Sequence, residues 1–333
     1  MPVTIKDIAR AAGVSHTTVS RALKGNPSIS TETTERVQHL AQQMGYTPSA
    51  VAQSLLSQRT QTIGMVITTI ADPFIVKVVE GVETVAQTAN YSVFLATSHN
   101  NPDQEIAIVE TLHRRRVDAS IVTSSRIGSL YGSRLDQIEI PIVLINNNQE
   151  GGEYLHSVAA DDIQGAELAV KHLLDLGHRR IGYVGVNDRP RSNQRRLTGY
   201  QEALNQAGIA PDQDLIVRAD GITDIERGQA GLSLIEKGAT AIFCYNDVTA
   251  LGLLIAARQR GYKVPQQLSI VGFDNIEPTL YVDPPLTTVA QPLLTLGQEA
   301  MYMTLDLLEY KQVQDKTLPC ELLVRQSTAP PEG

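Results

Sequence analysis

VSHTTVSRALKG, residues 14–25, puts apolar and polar side chains on opposite faces of a short helix. At 100° per residue, Val19, Ala22 and Leu23 share one face, while Thr17 and Arg21 stand four apart on the other. Ser15 suits the N-cap and Gly25-Asn26-Pro27 ends the segment. The apolar face needs partners, and its neighbours offer them. Ile5, Ile8, Ala9 and Ala12 form one stripe at helical spacing, closed by Gly13. Val37, Leu40, Ala41 and Met44 repeat the spacing in a third helix, closed by Gly45. Helix, a glycine-containing turn of about four residues, then helix is the helix-turn-helix pattern. Its second helix enters the DNA major groove with its N-terminal residues toward the base edges.

The charge distribution agrees. The chain of 333 residues carries a net −8. Residues 1–61 nevertheless hold Lys6, Arg10, Arg21, Lys24, Arg36 and Arg59 against only Asp7, Glu32 and Glu35. A small cationic segment on an anionic body suits a nucleic-acid module joined to something that should not adhere to nucleic acid. The two cysteines, Cys244 and Cys320, lie far apart and match no metal spacing, as expected for a reducing cytosol. MPVTIKDIARAAGVS lacks the apolar core of a signal peptide, and no run of 18 apolar residues could span a membrane. The expected location is the cytoplasm.

AVAQSLLSQRTQ, residues 50–61, is read either as a plain linker or as a helix too short to persist unless docked. From Thr62 strands and helices alternate. Strand candidates are 62–70, 91–97, 118–124 and 140–146. A second series is expected to begin near Ser157 with HSVAAD, then 179–185, 215–220, 239–246 and 268–274. The alternation implies parallel sheets with right-handed crossovers, and two series imply two doubly wound subdomains.

In such sheets ligands bind beyond the carboxyl ends of the strands. Those ends are polar here: Asp72, Ser98, Thr123-Ser124-Ser125 and Asn146 in the first series, then Asp161, Arg191 through Arg196, Asp220, Asn246-Asp247 and Asp274-Asn275. Taken singly, each reads as a cap for the next helix. Their repetition at one end of both series favours a cleft lined with hydrogen-bonding groups, suited to a hydroxyl-rich small molecule. No phosphate-binding glycine loop and no nucleophile elbow follows a strand. Asp247 and Asp274 could be an acid/base pair, but a binding role is the preferred reading. His172 and His178 lack companion metal ligands, and His178 reads as a loop residue before a strand. No cofactor or metal is expected.

With these residues in place, IKDIARAAGVSHTTVSRALKG, VQHLAQQMGYTPSAVAQSLLSQRTQTIGMV, LGHRRIGYVG, RRLTGYQEAL, CYNDVTALG, SIVGFDN and PPLTTVAQP together resemble the LacI/GalR family of transcription regulators. The resemblance runs in register over nearly the whole chain. It implies an N-terminal three-helix helix-turn-helix headpiece (1–48) and a hinge helix (49–61). Two doubly wound α/β subdomains of periplasmic-binding-protein-like type I would follow, 62–160 with 292–320 and 161–291 with 321–333. It further implies a homodimer on palindromic operator DNA, usually as a repressor, with a small effector such as a sugar in the cleft.

Residue by residue, the resemblance places His16, Thr17 and Arg21 at base-reading positions, with Ser15 and Ala52 beside the DNA. Leu55 would wedge into the minor groove, as apolar side chains do at kinked base steps. Ala52-Gln53 departs from the family's Ala-Arg. In the cleft, Asp72, Phe74, Ser124, Arg196, Asn246 and Asp274 match ligand positions, and substitution of Arg196 is expected to remove ligand binding while leaving the fold intact. After Asp220-Gly221, Ile222 and Thr223 stand where many sugar-binding relatives carry a stacking aromatic; Phe74 or Tyr281 could supply a ring instead. The competing classes are a solute-binding protein without regulation, disfavoured by the headpiece, and an enzyme, disfavoured by the lack of a nucleophile or metal constellation.

Overall fold

The computed structural model describes residues 3–46, 59–125, 140–146, 155–187, 190–220 and 223–332. It contains two compact units, Met1–Thr60 and Gln61–Gly333.

The first unit holds α1 (Ile5–Ala12), α2 (His16–Leu23) and α3 (Thr31–Gln43). Asp7 accepts a hydrogen bond from the Thr4 backbone N–H at 3.0 Å and one from its hydroxyl at 2.7 Å, which fixes the start of α1. Gly13 ends it in the left-handed region, φ 67°, a conformation that costs glycine nothing. The Ser15 hydroxyl accepts from Thr18 N–H at 3.0 Å and so caps α2. Ile8, Ala9, Ala12, Val19, Ala22, Val37 and Ala41 form the buried core of the three helices. Ile5, Leu23, Leu40 and Met44 pack on it part-buried. The helical periodicity therefore reports which faces meet. The expected hinge helix, with Ala52 and Leu55, lies outside the described residues.

The second unit alternates strand and helix. Its first half runs β1 (Thr62–Ile67), α4 (Pro73–Thr88), β2 (Ser92–Thr97), α5 (Pro102–Arg114), β3 (Ala119–Thr123), β4 (Ile142–Ile145) and β5 (Leu155–Ala160). Then come α6 (Asp162–Asp175), β6 (Ile181–Val186), α7 (Pro190–Gln206), β7 (Ile216–Ala219), α8 (Asp224–Gly228) and α9 (Leu232–Glu236). The chain continues with β8 (Ala241–Cys244), α10 (Asp247–Gln259), β9 (Ser269–Asp274), β10 (Thr287–Ala290), α11 (Leu293–Leu308), β11 (Lys316–Leu318) and β12 (Glu321–Leu323). One sheet has the order β11-β5-β4-β3-β1-β2 and the other β12-β10-β9-β8-β6-β7. All neighbours are parallel except β12, which runs antiparallel to β10.

Both faces of these sheets are covered, which is why β1 reads as one apolar run. Ile63, Met65 and Ile67 face one layer with Val78 and Val82 of α4. Val66 faces the other with Val109 and Leu112 of α5. Helices α4 and α11 cross at Gly81 and Gly297. A Cβ on either would lie 2.1 Å from a carbonyl oxygen of the opposite helix, so only glycine permits this approach.

Two features differ from the sequence reading. The HSVAAD strand does not open the second series: β5 pairs with β4, Val143 opposite His156, and belongs to the first sheet. A strand buried on both faces has the same composition in either sheet, so only its hydrogen-bond partner reveals the assignment. Strands β10, β11 and β12 were not anticipated, being three or four residues long with polar Thr, Lys and Glu among them. Consequently, among the described residues, the chain crosses between the sheets three times: after Ala160, after Ala290, and between Leu318 and Glu321.

Candidate functional site

On α2, His16, Thr17 and Arg21 are exposed, while Val19 and Ala22 behind them are buried. The three polar side chains thus form an open face along a helix whose other side is fixed by the core, with His16 and Thr17 at its start and Arg21 in its last turn. Ser15 spends its hydroxyl on the cap.

In the second unit, the carboxyl ends of strands from both sheets line a cleft enclosing about 660 Å³ of empty space, including its solvent-open mouth. The first sheet contributes Ser124 after β3 and Asn146 after β4, with Ser125 and, from the start of α4, Phe74. The second contributes Tyr245 after β8 and Asp274 at the end of β9, with Arg191, Ser192 and Arg196 from α7. Gln291, between β10 and α11, completes the lining. Ser124 (φ 49°), Asn146 (φ 55°) and Asp274 (φ 115°) all adopt backbone conformations that side chains other than glycine's rarely take.

Arg196 is the electrostatic centre of the cleft. It is 3% exposed. Its Nε donates to Asp162 Oδ1 at 2.9 Å and its Nη1 to the Tyr245 carbonyl at 2.5 Å. Asp274 Oδ1 lies 3.6 Å from Nη1. The guanidinium carbon stands 3.7 Å from the Phe273 ring centroid and 4.7 Å from that of Tyr245. Burial opposes the charge, but Asp162 and Asp274 outweigh it and raise the pKa, so the side chain stays cationic. Nearby, the Ser192 hydroxyl meets the Tyr245 phenol at 2.8 Å. Ser125 donates to the buried Glu105 carboxylate at 2.5 Å.

Four of the six expected ligand residues, Phe74, Ser124, Arg196 and Asp274, meet in this lining. The other two serve as caps. Asp72 Oδ1 accepts from Phe74 N–H at 3.0 Å at the start of α4, and Asn246 Oδ1 accepts from Thr249 N–H at 2.8 Å at the start of α10. Asp247 is fully buried behind the cleft. Its two oxygens accept from the Thr288 hydroxyl and from Ile276 N–H, and burial, then the Asp274 charge, push its pKa up. It is not placed to exchange protons with a ligand. Tyr281 is 75% exposed and donates to Glu277 rather than entering the lining. Gly221 and Ile222 lie outside the described residues.

The comparisons with known proteins agree with this geometry. Bacterial regulatory proteins of the lacI family match residues 4–49, and a periplasmic binding protein-like domain matches 170–328. The HTH-type transcriptional repressor CytR of Escherichia coli K12 is 35% identical over 329 residues, covering 98% of this chain and 96% of the relative. The chain belongs to the LacI family. It is a DNA-binding transcription regulator.

The Lac repressor dimer, solved on its operator with the anti-inducer ONPF, superposes with a TM-score of 0.87 at 26% identity, over 99% of this chain and 100% of that one. A LacI family regulator from Enterococcus faecium with bound ribose gives 0.72 at 30% identity, over 81% of this chain and 99% of that one. Among the described residues of this LacI-family chain, no helix is long and apolar enough to cross a membrane. Two lining residues escaped the sequence reading. Tyr245 sits inside an apolar run and looks like core. Gln291 follows a strand too short and polar to be recognised, although PPLTTVAQP itself stood out.

Proposed function

We propose that this regulator binds palindromic operator DNA as a homodimer and that a small hydroxyl-rich ligand, of the sugar class, controls its operator affinity from the cleft. The observation that carries the effector half is the convergence of strand ends from both sheets on one polar cleft around a charged, buried Arg196. Buried hydroxyls must be paired, and Ser124, Ser125, Asn146, Asp274 and Gln291 offer donors and acceptors at short range. The ribose described for the Enterococcus faecium relative suggests the class. Asp72 and Asn246 would then act by capping the helices that carry the cleft rather than by touching ligand.

The subdomains would comprise 62–160 with 292–320 and 161–291 with 321–333, with residues 1–48 as headpiece and 49–61 as hinge. His16, Thr17 and Arg21 read bases, with Ser15 and Ala52 near the backbone and Leu55 in the minor groove. An arginine forked onto guanine is a common specific contact. The ligand leaves chemically unchanged, and the protein works in the cytoplasm.

A second copy would cover the apolar surface of the effector unit. β2 is the outer strand of its sheet and exposes Phe94 (61%) and Leu95 (46%). Val76 on α4 is exposed too, and so are Leu280 and Tyr281 in the second half. An exposed edge strand with large apolar residues is stable only when covered.

The test is a thermal-shift screen of pentoses, hexoses and their derivatives, followed by gel titration of a duplex selected from random sequence. A ligand that binds the native state raises the melting temperature. Turnover of a bound sugar would favour the enzyme reading, and a duplex bound equally at any sequence would defeat the regulator reading.

A further inference from the structure

The floor of the cleft carries a chain of hydrogen bonds that runs in one direction. Ala160 N–H donates to Asn146 Oδ1 at 3.0 Å. Asn146 Nδ2 donates to Gln291 Oε1 at 3.0 Å. Gln291 Nε2 donates to Asp274 Oδ1 at 2.6 Å. The orientation of both amides is fixed from the Ala160 end: a backbone N–H can only donate, so Asn146 turns Oδ1 to it and Nδ2 to Gln291, which in turn presents Nε2 to Asp274.

The chain of bonds has an unusual span. Asn146 follows β4 of the first sheet and Asp274 ends β9 of the second. Gln291 lies on one of the three crossings between the sheets, and Ala160 is the last residue before another. The third crossing is tied to this one. Asp161 N–H donates to the Leu318 carbonyl at 2.8 Å, and Gln164 brackets Cys320, donating to its carbonyl at 3.2 Å and accepting from its N–H at 3.0 Å. All three crossings are therefore joined by hydrogen bonds, and the far end of the network, Asp274 beside Arg196, lines the cleft.

We propose that Asn146 and Gln291 form an amide latch that holds the two halves of the effector unit in the orientation seen in this structure, and that a ligand acts on DNA by breaking it. The proposal rests on the cleft being the effector site. A hydroxyl that donates to Asp274 competes with the Gln291 amide. Once that bond is lost, the Gln291 amide is held only through its Oε1 by Asn146, and its crossing is no longer anchored to the end of β9. A ligand shifts an equilibrium only through contacts that differ between the two states, and the Gln291–Asp274 bond is such a contact. Asn146 and Gln291 are thus positioning residues for the response to ligand.

Near-isosteric substitutions separate this from plain lining. Asn146→Asp keeps the acceptor for Ala160 but removes the donor to Gln291. Gln291→Glu keeps the acceptor for Asn146 but turns a carboxylate toward Asp274. Gln291→Met removes both bonds without adding charge. The experiment uses the ligand-free, full-length protein, with circular dichroism to establish a native fold for each variant. Deuterium exchange is followed in segments 156–164 and 287–293, and affinity is measured for the selected duplex without any sugar.

Exchange about three- to tenfold faster in both segments, with operator affinity changed at least about fivefold, is the expected result. Wild-type exchange in folded variants overturns the latch. Faster exchange with unchanged operator affinity overturns its role in signalling. The effector reading of the cleft fails by a different result, a melting temperature that no sugar moves, and that result leaves the exchange comparison standing.

Discussion

Arg196 and Asp162 form a 2.9 Å ion pair whose side chains are 4% and 8% exposed, joining α7 to the first turn of α6. The arginine that the sequence marks as a ligand grip is therefore also an internal strut. Arg196→Ala leaves Asp162 buried without its partner, which costs roughly 3–5 kcal/mol. The substitution is therefore expected to lower stability as well as ligand binding. Urea unfolding of the variant should show a clearly lowered midpoint; an unchanged midpoint contradicts the strut. Arg196→Lys keeps the charge but loses the planar fork and the stacking on Phe273, and should fall between.

His178 is 1% exposed. Its Nε2 donates to the Ala329 carbonyl at 2.9 Å, which leaves Nδ1 to accept from the Thr240 hydroxyl at 2.9 Å. His172 lies 2.9 Å from the Thr328 hydroxyl on the same C-terminal segment. Burial lowers the pKa of both below the ordinary 6.5. Below that value the unfolded chain binds protons that the folded one refuses, so stability is full above it and declines as pH falls through 6.5 toward the lower folded values. Melting temperatures from pH 8 to pH 5 should fall over this window, with a shallower fall in His178→Gln. Parallel curves for the two proteins contradict the assignment.

The crossing of α4 and α11 leaves no room for a methyl group. In Gly297→Ala the new Cβ would meet the Val78 carbonyl at 2.1 Å, forcing the helices apart at a cost of roughly 1–3 kcal/mol or more. Thermal unfolding reads this directly, and a wild-type melting temperature contradicts the tight crossing.

Arg21 stands on the open face of α2. Arg21→Ala should relax discrimination at one base pair of each half-site by roughly 1–3 kcal/mol, measured by titrating duplexes changed at single positions. Equal losses on all sequences would assign Arg21 to phosphate instead. His16 has no unique partner in the donor/acceptor code, so its base is read from the same series.

The headpiece was legible because its information is local: apolar spacing in the first 45 residues, Gly13 and Ser15 fix three helices within a few positions. The alternation of strands and helices was legible for the same reason. The membership of β5 was not, since pairing is non-local. Of the cleft, Ser124, Asp274 and Arg196 follow from the rule that ligands sit beyond strand ends. That rule does not separate cap from ligand contact; the resemblance names Asp72 and Asn246 as ligand residues, while the structure shows each capping a helix. Gln291 comes from a crossing far along the chain, and only the fold places it against Asn146 and Asp274.

The most direct test of the account is the operator affinity of the full-length protein with and without a sugar that raises its melting temperature. The account predicts a change of about 5- to 150-fold, with the reciprocal change in sugar affinity when operator is present. A sugar that saturates the cleft and leaves operator affinity unchanged would contradict it.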